Sequence, residues 1–292
     1  MQKGITFPES LENLLILRAL GEQAAEKARE GRLSRKELSS VTRGMLELSD
    51  RFNGIDATPL GDYMKSRRHR AGYFLYFLPA NFAKAWAVAS EMSPTLSDKQ
   101  EISILDVGSG PGSLSLGFLD FLARQTQVSR VRMTALDSSR EALGDWRFLA
   151  GQYVYEIDSK VRPIQVSLDT QVVDLERGAP RGGKWDVILF GDSLNELFRE
   201  SKTATEQRAR LVGEYGGNLR EGGSIVIIEP ALKDLSRALE AVRDRLVSKW
   251  GLHVYAPCFR QGECPMLSGG RERDWCHTSI LWTRPKIVRR ID

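Results

Sequence analysis

One segment constrains the fold of this chain more than any other. Residues Ile104-Leu105-Asp106-Val107-Gly108-Ser109-Gly110-Pro111-Gly112 pass from a short apolar run into a glycine-rich turn, and the turn opens onto a stretch of helical periodicity, Leu114 to Leu122. Glycines at such a junction let the backbone bend tightly. They also let a ligand approach main-chain N–H groups at the start of a helix, where those groups have no intrahelical partner. The spacing narrows the choice of ligand. A dinucleotide turn reads G-x-G-x-x-G/A. Here the third glycine comes one residue early, Ser113 holds the later position and Pro111 sits inside the turn. No G-x-x-x-x-G-K-[ST] occurs, which excludes a P-loop.

The sequence around the turn sets the architecture. After ISILDVG and its helix come VRMTALD as a strand, SREALGDWRFLAGQYVYEI as a helix, a β-rich region from Pro163 to Asp174, and WDVILF as a strand. Thr203 to Leu219 then reads as a helix, SIVIIEP as a strand and Leu235 to Trp250 as a helix. Strands alternating with helices imply right-handed crossovers and a mainly parallel sheet, an α/β Rossmann-like core. The last pair, HVYAP and HTSILWTRP, has no helix between its members and predicts an antiparallel C-terminal ending.

Residues 1–100 read instead as a helical extension. Leu11, Leu14, Leu15, Leu17 and Leu20 recur at helical spacing, Ser34 and Glu37 form a capping box, and Pro79 predicts a kink or a break between Tyr73 and Met92. Two regions are therefore expected, 1–100 and 101–292, the second carrying a cysteine-containing loop at 256–277. A hydrophobic share of 41% suffices for a sizeable core. No run approaches the roughly 20 apolar residues of a membrane span, and the start lacks the marks of a secretory signal or transit peptide. A soluble cytoplasmic protein without a membrane partner is expected, or one of the mitochondrial matrix for a eukaryotic source.

The glycine turn resembles motif I of the class I S-adenosylmethionine-dependent methyltransferases. That resemblance implies a backbone from Gly108 to Gly112 passing beside the methionine and ribose parts of the cofactor, with Asp106, Gly108, Ser109, Gly110 and Gly112 as candidate contacts. Asp137 ends VRMTALD, 25 residues after Gly112, where a carboxylate can accept both ribose hydroxyl hydrogens. Asp174, in QVVDLERG, stands where such proteins often place an acid near the adenine amine. It reads equally as a solvated turn residue. Asp192 follows WDVILF on the rim of the same pocket, or caps the element after it. The segment there, Gly191-Asp192-Ser193-Leu194-Asn195-Glu196-Leu197, holds neither an N-P-P-Y-type tetrapeptide nor a Pro-Cys nucleophile. No general base stands out. Methyl transfer from a sulfonium can proceed by positioning alone, which leaves the acceptor open.

All three cysteines, Cys258, Cys264 and Cys276, fall in one Gly- and Pro-containing C-terminal segment with C-x5-C-x11-C spacing. Thiolates suit zinc or an iron–sulfur cluster, and His277 is the candidate fourth ligand. They read also as small buried hydrophobes beside a hydrogen-bonded histidine. The ordered set Tyr76-Phe77-Leu78-Pro79-Ala80, ILDVGSGPG, Ser193-Leu194-Asn195-Glu196-Leu197, Ile228-Glu229-Pro230, APC…CP and Trp275-Cys276-His277 resembles the Rsm22-type methyltransferase-like family, from about Tyr63 to Arg284.

That resemblance implies a methyltransferase core with an N-terminal helical extension. It implies cysteine ligands to a [4Fe–4S] cluster, with zinc as the alternative, and a role with the small ribosomal subunit and its RNA. Mitochondrial members use a fourth cysteine, which this sequence lacks.

Net charge is +4, too modest to argue for nucleic acid by itself. Lys65, Arg67, Arg68 and Arg70 form the densest basic run, followed at once by Tyr73, Phe74, Tyr76 and Phe77. With the family resemblance they are candidate RNA contacts; without it they read as a solvated helix face beside core aromatics. Three functions follow: an S-adenosylmethionine-binding methyltransferase acting on or with small-subunit ribosomal RNA, a non-catalytic assembly scaffold with a metal site, and a small-molecule methyltransferase with structural zinc.

Overall fold

The structure is a computed structural model describing residues 4–52, 63–178, 182–269 and 273–291. A short strand β1 (Ile5–Thr6) precedes helices α1 (Glu9–Leu20), α2 (Glu22–Arg29) and α3 (Arg35–Phe52). The capping box holds α3 as expected: the Ser34 N–H donates to Glu37 Oε2 at 2.8 Å and the Glu37 N–H to Ser34 Oγ at 3.3 Å. A 3-10 turn over Tyr63–Lys65 leads into α4 (Arg67–Gly72). One π-helical turn, Tyr73–Phe77, then joins α4 to α5 (Leu78–Glu91), and the Leu78 N–H reaches back to the Tyr73 carbonyl. Pro79 explains the turn, because it has no N–H to offer Leu75 and its ring would strike that carbonyl in a regular helix. The wider turn absorbs both faults, so the predicted interruption is a π-bulge rather than a break. Helix α6 (Ser93–Leu96) closes the extension.

The sheet follows. Strands β2 (Glu101–Val107), β3 (Arg130–Asp137), β4 (Gln165–Val172), β5 (Trp185–Gly191) and β6 (Leu219–Ile228) alternate with α7 (Ser113–Gln125), α8 (Arg140–Lys160), α9 (Ala204–Gly216) and α10 (Lys233–Trp250). The order across the sheet is β4-β3-β2-β5-β6, and every pairing is parallel. The chain grows outward from β2 in one direction, then crosses to β5 on the other side. The crevice where that direction switches, at the C-terminal ends of β2 and β5, is where doubly wound sheets hold ligands.

Helices α7 and α8 pack on one face, backed by α5 and α1, in one continuous core that includes Leu11, Phe82, Phe118 and Trp146. Residues Leu105, Phe190, Val212, Tyr215 and Leu246 form a second core beneath α9 and α10. Among the described residues only a 3-10 turn, Leu175–Arg177, stands between β4 and β5 where a full helix would cover the sheet. A groove of about 420 Å³ therefore lies open beside Arg132, Thr134, Asp169 and Trp185.

The antiparallel ending is corrected. Among the described residues His253–Pro257 forms no strand, and the short β7 (Trp282–Thr283) pairs in parallel with β1. Helices α11 (Pro265–Ser268) and α12 (Val288–Ile291) flank it. The side chain of Gln261 supplies the reason. Its Oε1 accepts from Val254 N–H at 2.9 Å and its Nε2 donates to the Val254 carbonyl at 2.8 Å, so the groups a strand partner would use are already taken.

Candidate active site

Backbone geometry builds the site. After β2 the Gly108 and Ser109 N–H groups both donate to the Leu136 carbonyl, at 2.8 and 3.0 Å, which folds the glycine turn over the end of β3. Gly108 and Gly112 adopt left-handed φ values of 68° and 95°. A Cβ at Gly108 would stand 2.5 Å from Ser193 Cβ, and one at Gly112 2.5 Å from Trp146 Cδ1. Glycine is required at both by conformation and by space. Gly110 differs, since a Cβ there meets nothing within 4 Å and the turn faces open space. Ser109 is buried and turns its Oγ to the Gly110 carbonyl at 3.2 Å.

Asp137 anchors the turn: its Oδ2 accepts from Gly110 N–H and its Oδ1 from Ser139 N–H, both at 2.8 Å. Asp106 lies beneath. Its carboxylate accepts from Ser115 Oγ, which in turn accepts from Trp146 Nε1 at 3.0 Å. Burial pushes the Asp106 carboxyl up to about 7; Ser115 opposes this and Asp137 adds to it. Asp106 supports the turn from below instead of facing the crevice. Asp174 is exposed, caps the 3-10 turn through Glu176 N–H at 3.1 Å and pairs with Arg177 at 3.0 Å, the behaviour of a solvated turn residue.

A second group of acids faces the turn. Asp192 follows β5 with a left-handed φ of 51°, and its Oδ1 is buried without a hydrogen-bond partner. Burial pushes its carboxyl up, against the pull of Lys84 and Asn81. Glu229, just past β6, accepts from Leu194 and Asn195 N–H at 3.0 and 3.2 Å and from the Asn195 amide. Burial raises it to about 7, with the Asn195 amide opposing and Asp192 adding. Glu196 is raised to about 8 by burial first, then by Glu229, Asp137 and Asp192, with Arg199 opposing.

The tyrosines of the extension close the space. Tyr63 and Tyr73 stand 6.5 Å apart between ring centroids, and the Tyr73 hydroxyl lies 3.1 Å from Ser113 Oγ. Burial raises both phenols, and the carboxylates of Glu196 and Asp192 add to it. Sequence reading placed Asp137 and Asp192 here but gave no role to Tyr63, Tyr73, Asn81, Lys84, Glu196 or Glu229. The chemical character is an acid-rich crevice around an open backbone turn, suited to a cationic ligand.

The other predicted residues lie elsewhere. Arg68 pairs with Glu47 at 2.7 Å, and His69 Nε2 lies 2.8 Å from the same oxygen. Arg67 and Lys65 are exposed, while Arg70 donates to the Met64 carbonyl at 3.2 Å. The aromatics beyond them are packed: Phe74 is fully buried, and Tyr73, Tyr76 and Phe77 lie against the core.

The cysteine loop is held on α10 through its backbone. Glu240 accepts from Cys276 N–H at 2.9 Å, both Asp244 oxygens accept from Cys264 N–H at 3.0 Å, and Arg237 donates to the Met266 and Asp274 carbonyls. Cys258 and Cys276 are exposed, and the His277 ring stacks on Trp275. Among the described residues no three His, Cys, Asp or Glu side chains converge as a metal site. Burial raises the Cys276 thiol first, and the Glu240 carboxylate and the Cys264 and Cys258 thiols add to it. The described residues therefore give no support to the expected cluster or zinc ion.

A parallel sheet in this order, with a glycine turn after its first strand and an acid ending the next, defines the Rossmann-like class of the class I methyltransferases, here with a helical extension. Residues 67–292 match the family described as mitochondrial small ribosomal subunit Rsm22, and the chain belongs to that family. No curated protein sequence matches it. Similar solved structures include the plantazolicin methyltransferase BpumL in complex with SAH, at 19% identity and TM-score 0.39, covering 75% of this chain and 66% of that one. The pyocyanin biosynthetic protein PhzM is similar at 22% identity and TM-score 0.39, covering 67% and 53%. YjhP from E. coli is similar at 21% and TM-score 0.32, covering 52% and 53%. The chain thus spans about two thirds of the first of these and about half of the others. No helix of the described residues is long and apolar enough to cross a membrane.

Proposed function

We propose that this chain binds S-adenosylmethionine in the acid-rich crevice and methylates RNA of the small ribosomal subunit as that subunit is assembled. The observation that carries this is a glycine turn open at Gly110, opposite Asp192, Glu196 and Glu229, with Asp137 at its edge. Gly108, Ser109, Gly110, Gly112 and Asp137 would hold the cofactor, with Asp192 beside them; when bound, it supplies an electrophilic methyl group on a sulfonium. The carboxylates favour a cationic ligand over its neutral, demethylated form. Glu196 and Glu229, raised to about 8 and about 7, are placed in the protonation range suited to accepting a proton from an N–H or O–H group.

The family description supports the ribosomal part of this reading. Titration calorimetry with S-adenosylmethionine tests the first half: binding by the wild type and its loss in Asp137→Ala are expected, and absence of binding by the wild type refutes it. Labelled-methyl transfer to immature small subunits tests the second half. Tight particle binding without transfer would leave a scaffold.

A further inference from the structure

The basic run does not form one surface. Arg68 turns to Glu47. Arg67 and Arg70 turn the other way and, with Arg18 of α1, line a separate cleft of about 340 Å³ floored by Phe74 and two alanines. Asp145 of α8 lies at its base with a side chain only 1% exposed. Arg18 Nε and Nη2 both reach Asp145 Oδ1, at 2.7 and 2.6 Å, and Arg70 Nε stands 3.6 Å from Oδ2. The Arg18 guanidinium also lies 4.9 Å from the centroid of the Phe148 ring. One buried carboxylate and one ring thus fix two long side chains that a ligand would otherwise have to order at a cost in rotamer entropy.

Two features of this cleft point to a ligand. Three guanidinium groups oppose Asp145 and the neighbouring Glu141, so the charge is in excess positive, and Arg67 has no hydrogen bond or ion pair among the described residues. Planar guanidinium forks match phosphate oxygens. In addition, Asp145 Oδ2 is buried and accepts no hydrogen bond, an acceptor left waiting for an O–H or N–H donor. A phosphate and a hydroxyl donor side by side are the two polar parts of a ribonucleotide, whose 2′-hydroxyl is what separates RNA from DNA.

We infer that the Arg18–Arg67–Arg70 cleft seats one ribonucleotide of a single-stranded RNA, its phosphate on the arginines and its 2′-hydroxyl donating to Asp145 Oδ2. The seat adjoins the crevice through two connections. Trp146, next to Asp145, packs against Gly112 and donates to Ser115, and α4 runs straight into the π-turn that carries Tyr73. The inference rests on the RNA half of the proposed function and not on cofactor binding.

Fluorescence anisotropy of the full chain tests it, with a labelled single-stranded RNA, DNA of the same sequence and inorganic phosphate as competitor. RNA should bind more tightly than DNA, and one 2′-deoxy substitution within the RNA should account for about a tenfold loss. Arg67→Ala should weaken RNA binding roughly tenfold and lower the slope of log affinity against log salt by about one. Arg68→Ala, whose side chain points away, should change neither. RNA and DNA binding alike, RNA binding unchanged in Arg67→Ala, or RNA binding no tighter than inorganic phosphate would each overturn the seat. A wild type that fails to bind S-adenosylmethionine would sink the cofactor reading and leave this measurement standing.

Discussion

Glu196→Gln isolates the electrostatics of the crevice. The glutamate is raised from an ordinary 4.5 to about 8, burial being the largest cause. The unfolded chain loses this proton near 4.5, and the native chain keeps it until about 8. Between those values the native state holds one proton more than the unfolded state, so stability must fall as pH rises, by at most about 1.4 kcal/mol per pH unit. From pH 5 to pH 8 the dry limit is about 4 kcal/mol. Glu196 keeps part of its surface exposed and is coupled to Glu229, so about 2 kcal/mol is the working expectation.

Glutamine cannot titrate, and the variant should lose this slope. Urea denaturation at constant ionic strength, at pH 5, 6, 7 and 8, reads the difference directly. Wild type and variant should be closest at pH 5, and the variant should gain about 2 kcal/mol on the wild type by pH 8. Parallel curves with equal m-values would refute the claim that these acids are held protonated by burial and by one another. The same argument fixes the sign for a ligand: a cation favours the ionised acids, so S-adenosylmethionine should bind more tightly at pH 8 than at pH 6 and release protons as it binds.

Two further changes probe the frame of the site. Gly112→Ala forces a left-handed residue and drives a methyl into Trp146, so a loss of about 3 kcal/mol in thermal or urea unfolding is expected, against about 1 kcal/mol for Gly110→Ala, which meets open space; equal losses would contradict the contact. Glu229→Ala strands the N–H groups of Leu194 and Asn195 and should cost about 2–3 kcal/mol in the same assay, while Glu229→Gln, which keeps an acceptor, should cost less.

The sheet was legible because β2, β3, β5 and β6 carry apolar stretches, while β4 alternates apolar and polar residues. The glycine turn was legible because its chemistry is contiguous. The acid-rich crevice was legible only at Asp192, since Glu196 and Glu229 follow the ends of two different strands and are brought together because β5 and β6 are neighbours. The division of the basic run was hidden for a similar reason. Glu47, on a preceding helix, takes Arg68 and His69, and Asp145, far along the chain, takes Arg18 and faces Arg70. The antiparallel ending failed because one glutamine side chain replaced a strand partner.

These placements change what the helical extension is for. Tyr63, Tyr73, Asn81 and Lys84 reach the crevice from the segment before β2, and Gly117 of α7 lets α5 approach so closely that a Cβ there would stand 2.6 Å from the Phe82 carbonyl. Helix α5 is therefore packed as tightly on the sheet's own helix as core elements are on one another. The family match begins at residue 67, at the start of α4, and so includes the π-turn and the wall of the crevice while leaving α1–α3 outside. Yet α1 supplies Arg18 to Asp145, and Glu12 of α1 accepts from Ile287 N–H at 2.6 Å. Helix α1 thus braces both the Arg18–Asp145 cleft and the C-terminal segment, and shortening the chain to residue 67 should strip Asp145 of its closest cation while leaving the glycine turn itself intact.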